Sequence, residues 1–339
     1  MKKLNLISIV LIGLFAFSCA IYGQEISAIE QCQKLGRGVN IIGYDRALWK
    51  DYTKGRFKEE YFKMIKEAGF TNIRINMHPF SHMDSNYKIS DKWLETLDWA
   101  IKNGLEANLM IILDLHEFHA MAEDPVAKKE MFLSFWKQLS LRYKDLSDDI
   151  VFEILNEPNG KLTAALWNSF LVEAIDLIRK TNPNRTLMIG PGSWNGIESL
   201  PRLILPEDDK NIIVTVHFYH PMKFTHQGAP WSRQYVNYSD ITWTGSEKEK
   251  NEIDTKLEVA ADWAKANDRP IYLGEFGAYD KADMDSRARY TAYVARTAEK
   301  LGFSWGYWQF DSDFILYDID KEEWVIPLLN ALTNKIIPF

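Results

Sequence analysis

The chain has 339 residues, with 40 Lys and Arg against 47 Asp and Glu, so its formal net charge at pH 7 is −7. Its hydrophobic fraction of 46% and charged fraction of 26% are ordinary for a soluble globular protein, which excludes a disordered or fibrous chain. The negative charge argues against nucleic acid as a partner.

The N-terminus has the pattern of a secretory signal peptide. Two lysines precede an apolar run, residues 4–17, that is too short to span a bilayer in the mature protein. Cleavage near Gly23 is preferred, which makes residues 1–24 the signal peptide and moves the charge from −7 to −9 because two lysines and no acids are lost. The run AFSC, which ends at Cys19, is a loose lipobox, so a lipid anchor on Cys19 is the alternative. We expect a secreted or periplasmic protein without a transmembrane segment.

From residue 36 onward, short apolar runs alternate with longer amphipathic segments, which is typical of βα units around a parallel sheet. Eight runs predict strands, at residues 36–42, 71–76, 107–115, 150–155, 185–190, 212–218, 270–276 and 303–308. Helical patterns lie between them, at about 57–68, 91–103, 127–144, 165–180, 248–266, 283–300 and 322–333. Eight parallel strands close a barrel. The sequence therefore predicts one (β/α)8 TIM barrel over residues 25–339.

A long aromatic loop and a single remaining cysteine are two other features of the chain. The longest irregular connection, residues 219–245, is rich in Trp and Tyr, and long loops of this kind often carry function. Cys32 is the one cysteine left after cleavage near Gly23, so no intrachain disulfide is expected.

The carboxyl ends of all barrel strands open on one face, so reacting groups are expected where strands end. Glu157 follows the fourth predicted strand and Glu275 lies near the end of the seventh. Two carboxyls on one rim can cleave a glycosidic bond, one as proton donor and one facing the anomeric carbon. A separation of about 5–5.5 Å gives retention and about 6.5–9.5 Å gives inversion, and the sequence leaves that distance open.

Several motifs, in this order along the chain, resemble those of glycoside hydrolase family 5, the classical cellulase family. They are Arg74, DLHE (114–117), ILNEPNG (154–160), HFYHP (217–221), YLGEFGAY (272–279) and YWQF (307–310). The segment FTHQGAPW (224–231) is similar to the branch that contains bacterial endo-β-1,4-glucanases. The resemblance covers nearly the whole predicted mature chain.

The resemblance implies a role for each matching residue. Glu157 would be the acid/base and Glu275 the nucleophile of a retaining enzyme. Arg74 would lie beside Glu275 and lower its pKa, and Tyr219 would hydrogen-bond the same carboxylate. The remaining matches would contact the sugar: Asn156 at the 2-hydroxyl, His116 and His217 along the site, and Trp308 as its floor.

Other interpretations of these residues stay open at this point. Arg74 is also compatible with a purely structural ion pair. His116, Glu117 and His119 lack the HExxH spacing of a helical zinc site, so we predict neither a metal nor another cofactor. Sugar stacking is predicted for Trp194, Trp231 and Trp308, with core packing as the alternative. For Trp49, Phe80 and Trp243 neither interpretation is preferred.

The chain departs from the family pattern after the first two strands, at NIIGYDR (40–46) and INMHPF (75–80), and at Glu117, where a second histidine is common. These positions would shape the subsites for the glycone sugars. The prediction is a monomeric retaining endo-β-1,4-glucanase that acts on β-linked polysaccharide. The alternatives are a β-mannanase, mixed-linkage glucanase or xyloglucanase on the same scaffold, and a noncatalytic carbohydrate-binding protein.

Overall fold

A computed structural model of the chain describes residues 26–334, and the predicted signal peptide and lipobox lie outside that range. Eight parallel strands form a closed barrel in the order β1 to β8, which confirms the predicted fold. The strands are β1 Arg37–Ile41, β2 Asn72–Met77, β3 Met110–Leu115, β4 Ile150–Glu153, β5 Leu187–Ile189, β6 Ile212–Phe218, β7 Ile271–Phe276 and β8 Ser304–Tyr307.

Helices pack around this barrel. They span Ala28–Leu35, Glu60–Glu67, Asp91–Glu106, Phe118–Glu123, Pro125–Arg142, Ala164–Arg179, Met222–Thr225, Glu247–Asn267, Met284–Lys300 and Ile326–Thr333. Short 3-10 helices lie at Tyr52–Lys54, Phe80–His82 and Ile197–Arg202. The local sequence determines where several of these helices begin or end. The helix Glu247–Asn267, for example, begins with a capping box in which Ser246 and Glu249 satisfy each other's backbone N–H groups.

The apolar core has two main parts. The larger part lies between the barrel and the surrounding helices and includes the fully buried Trp93, Trp136 and Trp167. The smaller part fills the base of the barrel, where the helix Ala28–Leu35 packs against the strands through residues such as Cys32. Cys32 is a buried free thiol. The base is therefore closed by hydrophobic packing, which leaves the opposite end for polar groups.

The prediction of one helix over residues 322–333 is wrong at its beginning. Glu323–Trp324 form a short strand, β10, that pairs antiparallel with β9, Tyr317–Asp318. The helix begins only at Ile326, where Pro327 occupies the first turn and needs no N–H partner.

Two tryptophans whose role the sequence left open belong to the core. Trp49 is 3% exposed and stacks on Trp93 with ring centroids 4.9 Å apart. Trp243 is 1% exposed and packs against Tyr290. Phe80 is also buried. Within residues 26–334, no helix is both long enough and apolar enough to cross a bilayer.

Candidate active site

A cavity of about 850 Å³ opens at the carboxyl ends of the strands. Its lining includes nine of the ten residues that the sequence singled out for the site: His116, Asn156, Glu157, Trp194, His217, Tyr219, Trp231, Glu275 and Trp308. The tenth, Arg74, lies beneath it, fully buried in the barrel. The barrel therefore brings together residues that are up to 234 positions apart in the chain.

Glu157 lies on the loop after β4 in a left-handed backbone conformation, with φ of 42°. Few residues other than glycine adopt this conformation, and it costs on the order of 1–3 kcal/mol where the surroundings impose it. The loop is held by a hydrogen bond from the N–H of Trp194 to the carbonyl of Pro158, 3.2 Å long. The side chain of Glu157 is 16% exposed, so it can reach a ligand in the cavity.

Glu275 lies on β7 opposite His217 of β6. The pairing of these strands shifts register between Val216 and His217, so that Gly274 is the extra residue of a bulge. A Cβ atom on Gly274 would lie 3.0 Å from His217 Nε2 and 2.6 Å from Thr215 Oγ1. The glycine of the GEF motif therefore leaves room for the His217 ring beside Glu275.

Three side chains hold the Glu275 carboxylate. Arg74 Nη1 donates to Oε1 at 3.0 Å and the Tyr219 hydroxyl donates to Oε2 at 2.9 Å. His217 Nδ1 lies between the two glutamates, 2.8 Å from Glu157 Oε1 and 3.5 Å from Glu275 Oε2. One oxygen of Glu157 and one of Glu275 lie within 4.8 Å of each other.

Arg74 is surrounded by more negative charge than the sequence suggested. Its Nε and Nη2 donate to the two oxygens of Glu153 at 2.6 and 2.9 Å, and Nη2 is 3.1 Å from Asp114 Oδ2. Glu153 and Asp114 are both fully buried. Sequence reasoning missed them, although their inward positions on β4 and β3 were a usable signal. Arg74 is thus a buried ion-pair partner and a neighbour of Glu275 at once.

Burial dominates the ionisation of both site glutamates. Desolvation raises the pKa of Glu157 to about 8, with Arg74 opposing the shift. Desolvation also raises the pKa of Glu275 to about 7, while the charge of Arg74 and the hydrogen bond from Tyr219 lower it. Arg74 lowers the pKa of Glu275 as predicted, but burial outweighs the guanidinium charge, so the net shift is upward. Glu157 still holds its proton more tightly than Glu275.

His116, Asn156 and Trp308 lie beside one another in the lining of the cavity. His116 Nδ1 is 2.6 Å from Asp114 Oδ2, and its Nε2 is 3.3 Å from Asn156 Nδ2. The Asn156 oxygen accepts from Arg74 at 2.8 Å, so one amide hydrogen remains for a ligand. Trp308 is 7% exposed and its ring lies parallel to that of His116, with centroids 5.5 Å apart.

Two exposed tryptophans stand at the rim. Trp194 is 55% exposed and Trp231 is 50% exposed, and both line the cavity. Trp231 packs edge-on against Tyr279 with centroids 4.8 Å apart. Flat apolar rings beside a polar cavity are well suited to the faces of sugar rings.

Other lining residues were not chosen from the sequence. Tyr44 follows β1, in the segment that departs from the family pattern, and its ring stands at 88° to Trp308 with centroids 6.1 Å apart. Asp313, Arg233 and Gln234 add polar groups to the lining. They lie on loops, where no periodicity predicts which side chains point inward.

A metal site is the other interpretation of such clusters. One ligand atom each from Glu157, His217 and Glu275 lies within 4.8 Å of the others, which is close enough to share an ion. Arg74 lies 3.0 Å from Glu275, and its permanent charge opposes a cation there. The set of His116, Glu117 and His119 does not meet among the described residues, because Glu117 Oε1 instead accepts the N–H of Phe80 at 2.6 Å.

Comparison with known proteins agrees with this geometry. The profile of the cellulase family, glycosyl hydrolase family 5, matches residues 32–313. The chain belongs to this family. The resemblance drawn from its motifs is thereby confirmed.

Two relatives of this cellulase-family chain show how far the likeness extends. Endoglucanase H of Acetivibrio thermocellus is 29% identical over 326 residues, which cover 92% of this chain and 34% of that protein. The chain thus spans about a third of the length of that curated relative. Endoglucanase Cel5A from the hyperthermophilic Thermotoga maritima is 40% identical with a TM-score of 0.86, covering 91% of this chain and 100% of that chain. Cel5A in complex with mannotriose is similar at 39% identity and a TM-score of 0.85, covering 90% and 99%.

Proposed function

We propose that this chain is a retaining endo-β-1,4-glucanase that hydrolyses β-glucan chains by double displacement. The observation that carries the proposal is the pair of carboxyls, Glu157 and Glu275, that face each other across His217 in a cavity of the cellulase family. Their unequal environments support unequal roles, because Glu157 keeps a proton at a pH where Glu275 has lost its own.

In the first step, Glu275 attacks the anomeric carbon while Glu157 gives its proton to the leaving oxygen. The glycosidic bond breaks and an ester bond to Glu275 forms. Esterification removes the negative charge of Glu275, so Glu157 ionises more easily. Glu157 then takes a proton from water, which attacks the anomeric carbon and releases Glu275 as a carboxylate.

The separation of the carboxyls supports retention. Retaining enzymes place them about 5–5.5 Å apart, whereas inverting enzymes keep about 6.5–9.5 Å for a water molecule. One oxygen of Glu157 and one of Glu275 lie within 4.8 Å of each other, which is closer to the retaining distance than to the inverting one. Arg74 and Tyr219 keep the attacking carboxylate oriented between the strands.

The cavity lining supports a sugar polymer as the substrate. Trp308 would form the floor under the reacting sugar, with Asn156 at its 2-hydroxyl and His116 beside it, while Trp194 and Trp231 would stack on sugars farther along the chain. A β-mannan is a second candidate, because Cel5A of Thermotoga maritima has been crystallised with mannotriose as well as with cellobiose. We rank glucan first because curated relatives are named endoglucanases.

Chemical rescue with azide tests the two roles. On an activated aryl β-glycoside, Glu157→Ala should still form the glycosyl-enzyme, and azide should intercept it to give a β-glycosyl azide. Glu275→Ala has no nucleophile, so azide in the vacant space should displace the aryl group directly and give the α-azide. The opposite anomers would exchange the two assignments. An inverted product from the unmodified protein would refute double displacement.

A polysaccharide panel tests the substrate. Reducing-sugar release from carboxymethyl cellulose, barley β-glucan, xyloglucan and glucomannan, followed by product analysis, separates the candidate polymers. We expect the fastest release from a β-1,4-linked glucan. Binding to these polymers without turnover of any would favour a noncatalytic carbohydrate-binding protein instead.

We further propose that the protein is exported and acts as a monomer. The two N-terminal lysines and the apolar run at residues 4–17 support export. Mass spectrometry of the exported protein should find a chain that begins near residue 24. An acylated Cys19 would replace that cleavage site with a lipid anchor, and an unprocessed Met1 would contradict export. Light scattering on the purified protein checks the monomer.

A further inference from the structure

Asn195 lies directly behind His217, out of reach of a substrate. It is fully buried and belongs to a turn, Gly192–Asn195, in which Ser193, Trp194 and Asn195 all have a left-handed backbone, with φ of 58°, 59° and 53°. Such residues cost on the order of 1–2 kcal/mol each, so the surrounding contacts must hold the turn in place. The residue is absent from the family motifs that identified the site.

Backbone contacts connect the turn to the loop that carries Glu157 and to the strand that carries His217. Trp194 N–H donates to the carbonyl of Pro158, next to Glu157, and Gly196 forms an isolated parallel bridge with His217. Gly190 leaves the space that the Asn195 amide oxygen occupies, because a Cβ there would collide with that atom. The amide nitrogen faces His217, with Nδ2 at 3.2 Å from Nε2.

This contact decides where the His217 ring carries its proton. An amide nitrogen can only donate, so Nε2 of a neutral ring must accept, and the ring hydrogen must sit on Nδ1. Burial lowers the pKa of His217, which disfavours the charged ring. Nδ1 faces Glu157 Oε1 at 2.8 Å, so Nδ1–H donates to that oxygen.

The donation has a consequence for Glu157. When Oε1 accepts a hydrogen bond from His217, the acid proton of Glu157 favours Oε2, because the carbonyl oxygen of a carboxylic acid is a better acceptor than its hydroxyl oxygen. If Nδ1 carried a lone pair instead, the acid proton would sit on Oε1 and be held by the ring. The proton would then be unavailable to a glycosidic oxygen.

We propose that Asn195 is a positioning residue that fixes the His217 tautomer and thereby keeps the catalytic proton of Glu157 on its outer oxygen. The proposal rests on the proposed glycosidase function for its kinetic consequence. The tautomer itself is a property of the unliganded protein, and it can be measured without a substrate.

Asn195→Asp is the sharpest variant, since it keeps the shape of the side chain and reverses the polarity of the contact. A carboxylate can only accept, so Nε2 must become protonated, and the ring then attracts the Glu157 proton to Nδ1. Asn195→Leu keeps the branching of the side chain, although it is larger, and it neither donates nor carries charge, so it serves as a second variant. Ser193→Gly is the control, because it alters the same left-handed turn without a contact to His217.

The first measurement is the ¹⁵N NMR spectrum of the histidine rings, with the His217 signals identified by their loss in His217→Gln. We expect the proton on Nδ1 and an unprotonated Nε2 in the unmodified protein and in Ser193→Gly. Asn195→Asp should protonate Nε2. A proton on Nε2 in the unmodified protein would overturn the proposal, whatever the protein hydrolyses.

The second measurement compares two β-cellobiosides. A phenyl leaving group needs the acid proton, whereas a 2,4-dinitrophenyl group leaves without it. General acid catalysis contributes about 10²–10⁴-fold, so Asn195→Asp should lower kcat/KM for the phenyl glycoside by on the order of 10²-fold and leave the dinitrophenyl glycoside nearly unchanged. Asn195→Leu should show a smaller loss with the same selectivity. Equal losses on both substrates would mean a packing role and would overturn the proposal. If the unmodified protein hydrolysed neither, the glycosidase function would fail while the NMR result still decided the tautomer.

Discussion

Replacing Arg74 by lysine would keep the positive charge at the centre of the site. It would remove the planar guanidinium group, whose N–H donors reach several acceptors at once. Arg74 donates five hydrogen bonds, to both oxygens of Glu153 and to Asn40, Glu275 and Asn156. An ammonium group has three donors on a single atom. At least two buried acceptors therefore lose their donor.

Each buried acceptor left without a partner costs about 1–3 kcal/mol, so Arg74→Lys should lower the free energy of unfolding by about 2–6 kcal/mol. A domain of ordinary stability, about 5–15 kcal/mol, would still fold at low temperature. The folded fraction should also lose activity, because Glu275 and Asn156 lose the group that orients them.

Urea unfolding followed by circular dichroism measures the stability, and turnover of a soluble β-glucan per folded molecule measures the activity. Arg185→Lys is the matched control. Arg185 is also buried, but it donates to backbone carbonyls, including those of Leu146, before β4, and Ile150, the first residue of β4. The control should lose stability and keep its specific activity. If Arg74→Lys unfolded within about 1 kcal/mol of the unmodified protein, the ion-pair network would be energetically unimportant and the reasoning would be refuted.

Three further outcomes are expected. The pH profile of kcat/KM should be bell-shaped, falling below about pH 7 as Glu275 gains a proton and above about pH 8 as Glu157 loses one. A profile with no alkaline limb in the unmodified protein would contradict the assignment of Glu157. Trp308→Ala should lower turnover strongly and the thermal midpoint only slightly. Trp243→Ala, in the core, should lower the thermal midpoint strongly and turnover per folded molecule only slightly. If both variants lost stability and kept their turnover, Trp308 would be a packing residue. Tyr219→Phe removes one hydrogen bond to a charged group, worth about 1.5–3 kcal/mol, so kcat should fall by roughly 10–100-fold with little loss of stability. Unchanged kcat would show that Arg74 alone orients Glu275.

Much of the fold could be predicted because its signals are local. Each strand is a short apolar run and most helices carry one apolar face, so eight strands and seven helices could be predicted without any contact information. The misjudged helix at 322–333 shows the limit. Its first residues form β10 because they pair with β9. The sequence of residues 322–333 alone does not indicate that pairing.

The identity of the site residues could also be predicted from the sequence. The ends of parallel strands converge on one face of a barrel, and the motifs at those ends occur in the order found in the family. What those residues do to each other was decided by the tertiary structure. Burial, not Arg74, sets the direction of the Glu275 pKa shift, and burial is a property of the assembled barrel. Likewise, the bulge at Gly274 and the turn that aims Asn195 at His217 exist only once distant segments pack. Hydrogen-bond direction and desolvation depend on which residues are neighbours in the folded protein, and the sequence alone does not show which residues those are.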